Sequence, residues 1–338
     1  MGEIRSRSFV SAQKVADLAG VSRSAVSRTF TDGASVSDAT RRKVLSAATT
    51  LGYHVNHLAR GLIQDRSNIV CLVVSDITTP FRARMLEALT RRLQAIDKVA
   101  MVINTGGDSE SVSGALQQAL RFRADATVVL SGTPAASLVE TCVANGQRVV
   151  LINRDDQLTG SENLAVDNEA AASEALFLLR RAGCQRLAVV SSEAETPSLV
   201  ARHSAFTRAA SAAGLTATLT RIGATSYASG VEAARRLFSR SNAPDGVFCV
   251  TDLLALGFMD AARHEFGLAI PKDLCVIGFD DIEQAGWESY RLTTFAQPAT
   301  QMVDHIAALL SAGSDAAAER RVFTATPVWR RTVRPHAA

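Results

Sequence analysis

The chain has 338 residues, 47% of them apolar and 20% charged. That suits two or three cored domains and excludes general disorder. The net charge of +3 is unevenly spread: residues 1–66 hold ten Lys/Arg against five Asp/Glu, while the remainder holds 26 against 28, so a small basic head suited to a polyanion precedes a near-neutral body. No run approaches the roughly 18 unbroken apolar residues of a membrane span, and Met1–Arg7 leads into polar sequence instead of a signal core. The expectation is a cytoplasmic protein with no membrane partner. Five widely spaced cysteines (Cys71, Cys142, Cys184, Cys249, Cys275) lack metal-ligand spacing and read as small buried hydrophobes; no metal and no cofactor is expected.

In chain order, the first periodic segment is Val10–Ala19. Ser11 suits its N-cap, and Val15, Ala16 and Ala19 share one face. Gly20 turns the chain, Val21 plugs the gap, and Ser22 caps a second helix reaching about Phe30, with Val26 and Phe30 inward. Arg23, Ser24, Ser27 and Arg28 then point outward, which is a helix-turn-helix pattern whose second helix fits a major groove. A third helix starts near Ser37 and stops at Gly52, with Val44, Ala48 and Leu51 inward and Arg41, Arg42 and Lys43 exposed near phosphates. Asn56 caps one or two further turns, too short for an isolated helix.

Beyond residue 67, apolar strand runs alternate with helical patterns. Strands are expected at Ile69–Val74, Val99–Ile103, Ala126–Leu130, Val149–Ile152, Leu187–Val190, Val247–Val250 and Leu274–Ile277. Helices are expected at Met85–Ala95, Val112–Leu120, Ala171–Arg181, Val200–Ala212, Gly230–Phe238 and Leu253–Phe266. Continuous apolar strands between helices imply parallel sheets covered on both faces. Their number suits two doubly wound subdomains with a ligand cleft at the strands' carboxyl ends.

The phrases Val15–Arg28, Val36–Val44 and Leu51–Asn56 resemble the headpiece of the lactose-repressor (LacI/GalR) family. Lys14 departs from it by standing where an acid is usual. In the body, Val74–Phe81, Leu151–Arg154, Val166–Asn168, Val276–Asp281 and Leu292–Pro298 are similar to the family's periplasmic-binding-protein-like sensor. The resemblance implies an all-α headpiece with hinge helix (1–66, hinge about 56–63) and a type I α/β sensor (67–338). Within the sensor, an N-subdomain spans about 68–166 and 297–322, and a C-subdomain about 167–296 and 323–338. It further implies a homodimeric transcriptional repressor on a pseudo-palindromic DNA operator, released by a small polar effector such as a sugar. A corepressor of purine type is the alternative.

By the same resemblance, DNA contacts fall to Ser11, Ser22, Arg23, Ser24, Ser27, Arg28, Asn56, Ala59, Arg60 and Leu62. Leu62 is the minor-groove wedge, and Gly61 weakens the hinge helix by about 1 kcal/mol relative to Ala. Effector contacts fall to Asp76, Phe81, Asn153, Arg154, Arg202 and Asp280, a few polar anchors beside an aromatic wall, and Ser198, one turn before Arg202, is a further candidate of low specificity. Trp287 fits either stacking on a sugar face or plain packing. Ala201 departs from the glycine common before the arginine. An enzyme is not expected: no GxGxxG, Walker loop or G-x-S-x-G elbow occurs. A solute-binding protein would share the body but not the head.

Overall fold

The computed structural model describes residues 9–31, 33–55, 66–106, 108–153, 158–312 and 318–335. The chain divides into two compact units, Met1–Ser67 and Asn68–Ala338. In the first unit, helices span Ala12–Ala19 (α1), Arg23–Thr29 (α2) and Asp38–Leu51 (α3). Each starts behind a serine whose hydroxyl accepts a backbone N–H three residues on: Ser11 from Lys14, Ser22 from Ala25, Ser37 from Thr40. These caps satisfy donors that a helix start otherwise leaves unpaired. Gly20 takes φ +65°, the left-handed conformation that turns its N–H back onto the Ala16 and Asp17 carbonyls and ends α1. The apolar faces of all three helices meet in one small core of Val15, Ala16, Val26, Val44, Ala47 and Ala48, and Phe30 and Tyr53 close it with rings 5.6 Å apart.

The second unit begins as an alternation of β1 (Ile69–Ser75), α4 (Pro80–Gln94), β2 (Val99–Thr105), α5 (Ser109–Arg121), β3 (Ala126–Val129), α6 (Ala136–Ala144), β4 (Arg148–Ile152) and β5 (Glu162–Val166). It continues through α7 (Asn168–Arg181), β6 (Leu187–Ser191), α8 (Pro197–Ala212), β7 (Ala217–Arg221), α9 (Tyr227–Phe238), β8 (Gly246–Cys249), α10 (Asp252–His264) and β9 (Cys275–Ile277). A 3-10 turn at Glu283–Gly286 and β10 (Thr294–Ala296) follow, then α11 (Ala299–Ser311), β11 (Arg320–Phe323) and β12 (Thr326–Val328). All pairings within the two large sheets are parallel. The first sheet has the order β11-β5-β4-β3-β1-β2 and the second β7-β6-β8-β9, while β10 and β12 form an antiparallel ribbon. Because β1 is flanked by β2 and β3, and β6 by β7 and β8, each sheet reverses its winding beside its first strand. Those reversals are where open α/β sheets leave a crevice.

The chain passes from the first sheet to the second after β5, returns through β10 and α11 to lay β11 beside β5, and leaves again for β12. This last return includes Phe323, paired with Val166, one residue beyond the expected limit at 322. Central strands are mostly apolar because both faces are covered: β1 is buried at every position, whereas every position of edge strand β2 is exposed or half-buried. Helices α4 and α8 start at Pro80 and Pro197, which suit a first turn because their missing N–H would have no partner there. All five cysteines are free and buried. Among the described residues no helix is long and apolar enough to cross a membrane.

Candidate functional site

The first unit presents α2 as a two-sided element. Ala25, Val26 and Thr29 are buried, and Arg23, Ser24, Ser27 and Arg28 are exposed. Ser22 does double duty, capping α2 at Ala25 N (3.2 Å) and sharing a hydrogen bond with Ser24 Oγ (2.9 Å). Ser11 is likewise spent as the cap of α1. Arg23 and Arg28 pair with nothing among the described residues, so two exposed guanidiniums are free to donate to base edges or phosphates, with the exposed Ser27 hydroxyl beside them and the Ser24 hydroxyl available when it accepts from Ser22. Arg41 corrects the expectation for α3. It is half-buried, and its Nη1 donates to the Thr29 carbonyl (3.2 Å), tying α3 to the last turn of α2. Arg42 and Lys43 are exposed. Asn56, Ala59, Arg60 and Leu62, with the hinge helix, lie outside the described residues, as does Arg154 of the sensor.

In the second unit a cleft of about 700 Å³, its open mouth included, lies at the carboxyl ends of both large sheets. From the first sheet it takes Phe81 and Arg82 at the start of α4, Leu130 to Gly132 after β3, and Ile152–Asn153 at the end of β4. The second sheet contributes Thr196 to Leu199 at the start of α8, Arg202 one turn further, Thr251 before α10, and Asp280 beyond β9. The site is thus assembled at the two winding reversals. Phe81, Asn153, Ser198, Arg202 and Asp280 are brought together as expected positions of one cleft. Asp76 and Trp287 stand outside it. The Asp76 carboxylate is mostly exposed and pairs with Arg82 Nη1 at 2.8 Å, and Trp287 is half exposed at the end of the 3-10 turn.

Arg202 is the centre of the buried polar network. Its side chain is 3% exposed; Nε donates to Asn168 Oδ1 (3.1 Å), Nη1 to the Val250 carbonyl (2.9 Å), and the same nitrogen reaches Asp280 Oδ1 at 3.5 Å. The guanidinium also stacks on Phe279, 3.6 Å from the ring centre. Burial pulls the Arg202 pKa down and pushes that of Asp280 up, while their mutual attraction opposes both shifts. Gln297 Nε2 donates to Asp280 Oδ1 at 2.6 Å, giving the carboxylate a second donor. From α4, Arg84 donates to the Asp280 and Asp281 carbonyls (2.9 and 2.7 Å), clasping a turn in which both residues have positive φ.

Behind this layer Asp252 is wholly buried at the start of α10. It accepts from Ile282 N (2.9 Å) and from the Thr294 hydroxyl. Burial, reinforced by the nearby Asp280 charge, pushes its pKa up to about 7. Gly278 makes room for it, since a Cβ there would fall 2.2 Å from Asp252 Oδ1.

Two further side chains set the chemistry of the cleft. Among the described residues, Gln297 Oε1 and Asn153 Oδ1 are both buried without a hydrogen-bond partner, and both residues line the cleft. Gln297, Arg82 and Arg84 were not singled out from sequence. Gln297 carries a faint signal, a polar residue between the apolar end of β10 and Pro298; the two arginines carry none, being ordinary surface residues of an amphipathic helix.

A helix-turn-helix with a free basic face, together with a two-sheet cleft holding buried polar anchors, defines a DNA-binding regulator with a small-molecule sensor. Residues 12–56 match the pattern of bacterial regulatory proteins of the lacI family, and residues 178–333 that of a periplasmic binding protein-like domain. The HTH-type transcriptional regulator GalR of Escherichia coli (strain K12) is 30% identical over 305 residues, covering 89% of this chain and 88% of its own. Catabolite control protein A of Priestia megaterium is 29% identical over 287 residues, with 84% and 86% covered. In fold, the chain is similar to the lac repressor dimer bound to operator and the anti-inducer ONPF, with TM-score 0.85 at 22% identity over 96% of this chain and 99% of that one. The chain belongs to the LacI family and is a DNA-binding transcriptional regulator.

Proposed function

We propose that this regulator is a homodimeric repressor, released from a pseudo-palindromic operator by a neutral, polyhydroxylated effector of the sugar class. The observation that carries the ligand class is the pair of partnerless buried acceptors, Gln297 Oε1 and Asn153 Oδ1, on one cleft. A buried acceptor without a donor costs about 1–3 kcal/mol, and a ligand rich in hydroxyl groups removes that cost at both positions. Charge favours a neutral ligand, because among the described residues each charged residue lining the cleft is already paired, Arg82 with Asp76 and Arg202 with Asp280. Phe81, Leu130 and Ile152 supply apolar wall for a ring face. Kinship supports the same reading: the transcriptional regulator CelR, solved as a cellobiose complex, is 25% identical with TM-score 0.69. The HTH-type transcriptional repressor PurR of Vibrio atlanticus is 28% identical over 326 residues, and a purine-type corepressor is the rival reading.

In this reading Arg23 and Ser24 read bases, Arg28 holds a base edge or phosphate, and Ser27 assists. Ligand shifts the regulator between states only to the extent that it binds one of them more tightly. The test couples a thermal-shift screen of neutral sugars, sugar phosphates and purines to fluorescence anisotropy on duplex from the protein's own upstream region. A neutral sugar is expected to raise Tm and weaken DNA binding. A purine that tightens DNA binding would replace the release model. Exchanging Arg23 and Ser24 together is expected to change which duplex is preferred by roughly 10-fold or more, and an unchanged preference would remove them from base reading.

A further inference from the structure

Two of the five cysteines form a pair at the amino ends of the strands of the second sheet, opposite the effector cleft. Cys275 opens β9 and sits in register beside Gly246, which opens β8. Cys184, just ahead of β6, lies over Gly246: a Cβ on that glycine would fall 2.7 Å from Cys184 Cβ and 2.9 Å from its sulfur. The missing side chain at 246 therefore leaves room for Cys184 over the β8 position that neighbours Cys275.

Both sulfurs also touch one residue. Arg334 Nη2 donates to Cys184 Sγ (3.2 Å), and the Arg334 backbone N–H donates to Cys275 Sγ (3.4 Å). The same guanidinium donates to the carbonyls of Ala182, Pro271 and Lys272, which anchors it between the two cysteine-bearing loops. Arg334 is half-buried, so it joins the otherwise buried pair to the surface.

We propose that Cys184 and Cys275 are a site of reversible disulfide formation, oxidised by a small hydroperoxide. The Cys275 thiolate attacks one peroxide oxygen, the O–O bond breaks, and hydroxide leaves, giving a sulfenic acid. Cys184 then loses its proton and attacks the Cys275 sulfur, forming the S–S bond and expelling the second oxygen as water. Two thiols lose two electrons, and one hydrogen peroxide becomes two waters.

The assignment of roles follows from the surroundings. The neighbouring Cys184, the Arg334 N–H and the Arg334 charge hold Cys275 down at about 7, against burial and the Asp245 carboxylate. Asp245 is itself paired with Arg186. Cys184, whose S–H donates to the Asp245 carbonyl (3.3 Å), is pushed up by the neighbouring Cys275 and by burial, which suits the resolving thiol. By contrast, burial lifts Cys71 to about 12 and Cys142 to about 11, leaving them protonated and unreactive.

The test treats the folded full-length protein with hydrogen peroxide at pH 7.5, blocks remaining thiols, and maps tryptic peptides without reduction. The expected result is one cross-linked species joining the Cys184 and Cys275 peptides, reversed by dithiothreitol, with Cys71, Cys142 and Cys249 blocked as thiols. Arg334→Gln is expected to slow cross-linking several-fold at this pH, and Cys184→Ser to leave a sulfenic acid on Cys275 that a dimedone probe captures. Recovery of Cys184 and Cys275 as free thiols to the same extent as Cys71, or cross-linking only in denaturant, would overturn the proposal. Both readouts are made on the wild-type chain, so the result stands even where a variant fails to fold.

Discussion

Arg23 and Arg202 both stand where recognition is expected, in opposite surroundings. Arg23 is exposed on α2, pairs with nothing among the described residues, and owes its position to a helix that its neighbours cap and bury. Arg202 is 3% exposed and bound to Asn168, Val250 and Asp280, partners 34, 48 and 78 residues away in sequence. A site on an exposed helix face is available because the fold leaves it unused. A buried site exists only because the fold has already satisfied most of its charge, so changing it disturbs stability and recognition together. The face of α2 should therefore be separable from folding, and the cleft should not.

The strongest test of that contrast is Arg202→Leu. It leaves the Asp280 carboxylate buried with only Gln297 and the more distant arginines to balance it, which should cost about 3–5 kcal/mol and abolish the effector response together. Chemical denaturation and ligand-dependent anisotropy read the two effects. Loss of response at wild-type stability would show that the cleft, too, is separable from folding.

The next effect is a pH dependence rooted in Asp252. Its folded pKa of about 7 stands well above the unfolded value near 3.9. Between the two the folded state holds a proton that the unfolded state has released, so raising the pH favours unfolding. The stability associated with protonated Asp252 is present below about pH 4 and is lost as pH rises through about 7. The unfolding free energy from denaturant titrations should fall from pH 6 to pH 8 by roughly 1 kcal/mol, and Asp252→Asn should flatten that decline. An unaltered slope in the variant would assign the dependence to other groups.

The smallest effect separates two neighbours on α3. Arg41→Ala removes the hydrogen bond to the Thr29 carbonyl and should destabilise the three-helix unit by about 1 kcal/mol. Arg42→Ala, at an exposed position, should leave the melting curve unchanged and weaken binding to all duplexes alike. If both variants behaved identically in melting, the contact between Arg41 and Thr29 would carry no weight.

The legible parts of this protein share a physical origin. The serine caps, the Gly20 turn and the buried stripes of α1 to α3 are readable because capping and helical periodicity act over three or four residues. Central strands such as β1 and β8 are readable because burial on both faces demands unbroken apolar sequence. Two of the strands that the sequence does not reveal lie where that demand lapses. Edge strands β7 and β11 are largely exposed, so Ala217–Arg221 and Arg320–Phe323 look like loops. The starts of α4 and α8 fell before the first apolar residue of each stripe, at prolines that periodicity passes over.

Local sequence alone therefore determined the three-helix head, the alternation of the body and the outward row Arg23, Ser24, Ser27 and Arg28, since each depends on interactions among near neighbours. Only the tertiary structure decided that Gln297 and Arg84 converge on Asp280, that Asp76 turns away to Arg82, and that Gly246 leaves room for Cys184 over the position that neighbours Cys275. Those arrangements depend on which strand ends lie side by side, and sheet order is set by packing across the whole chain instead of by any single segment.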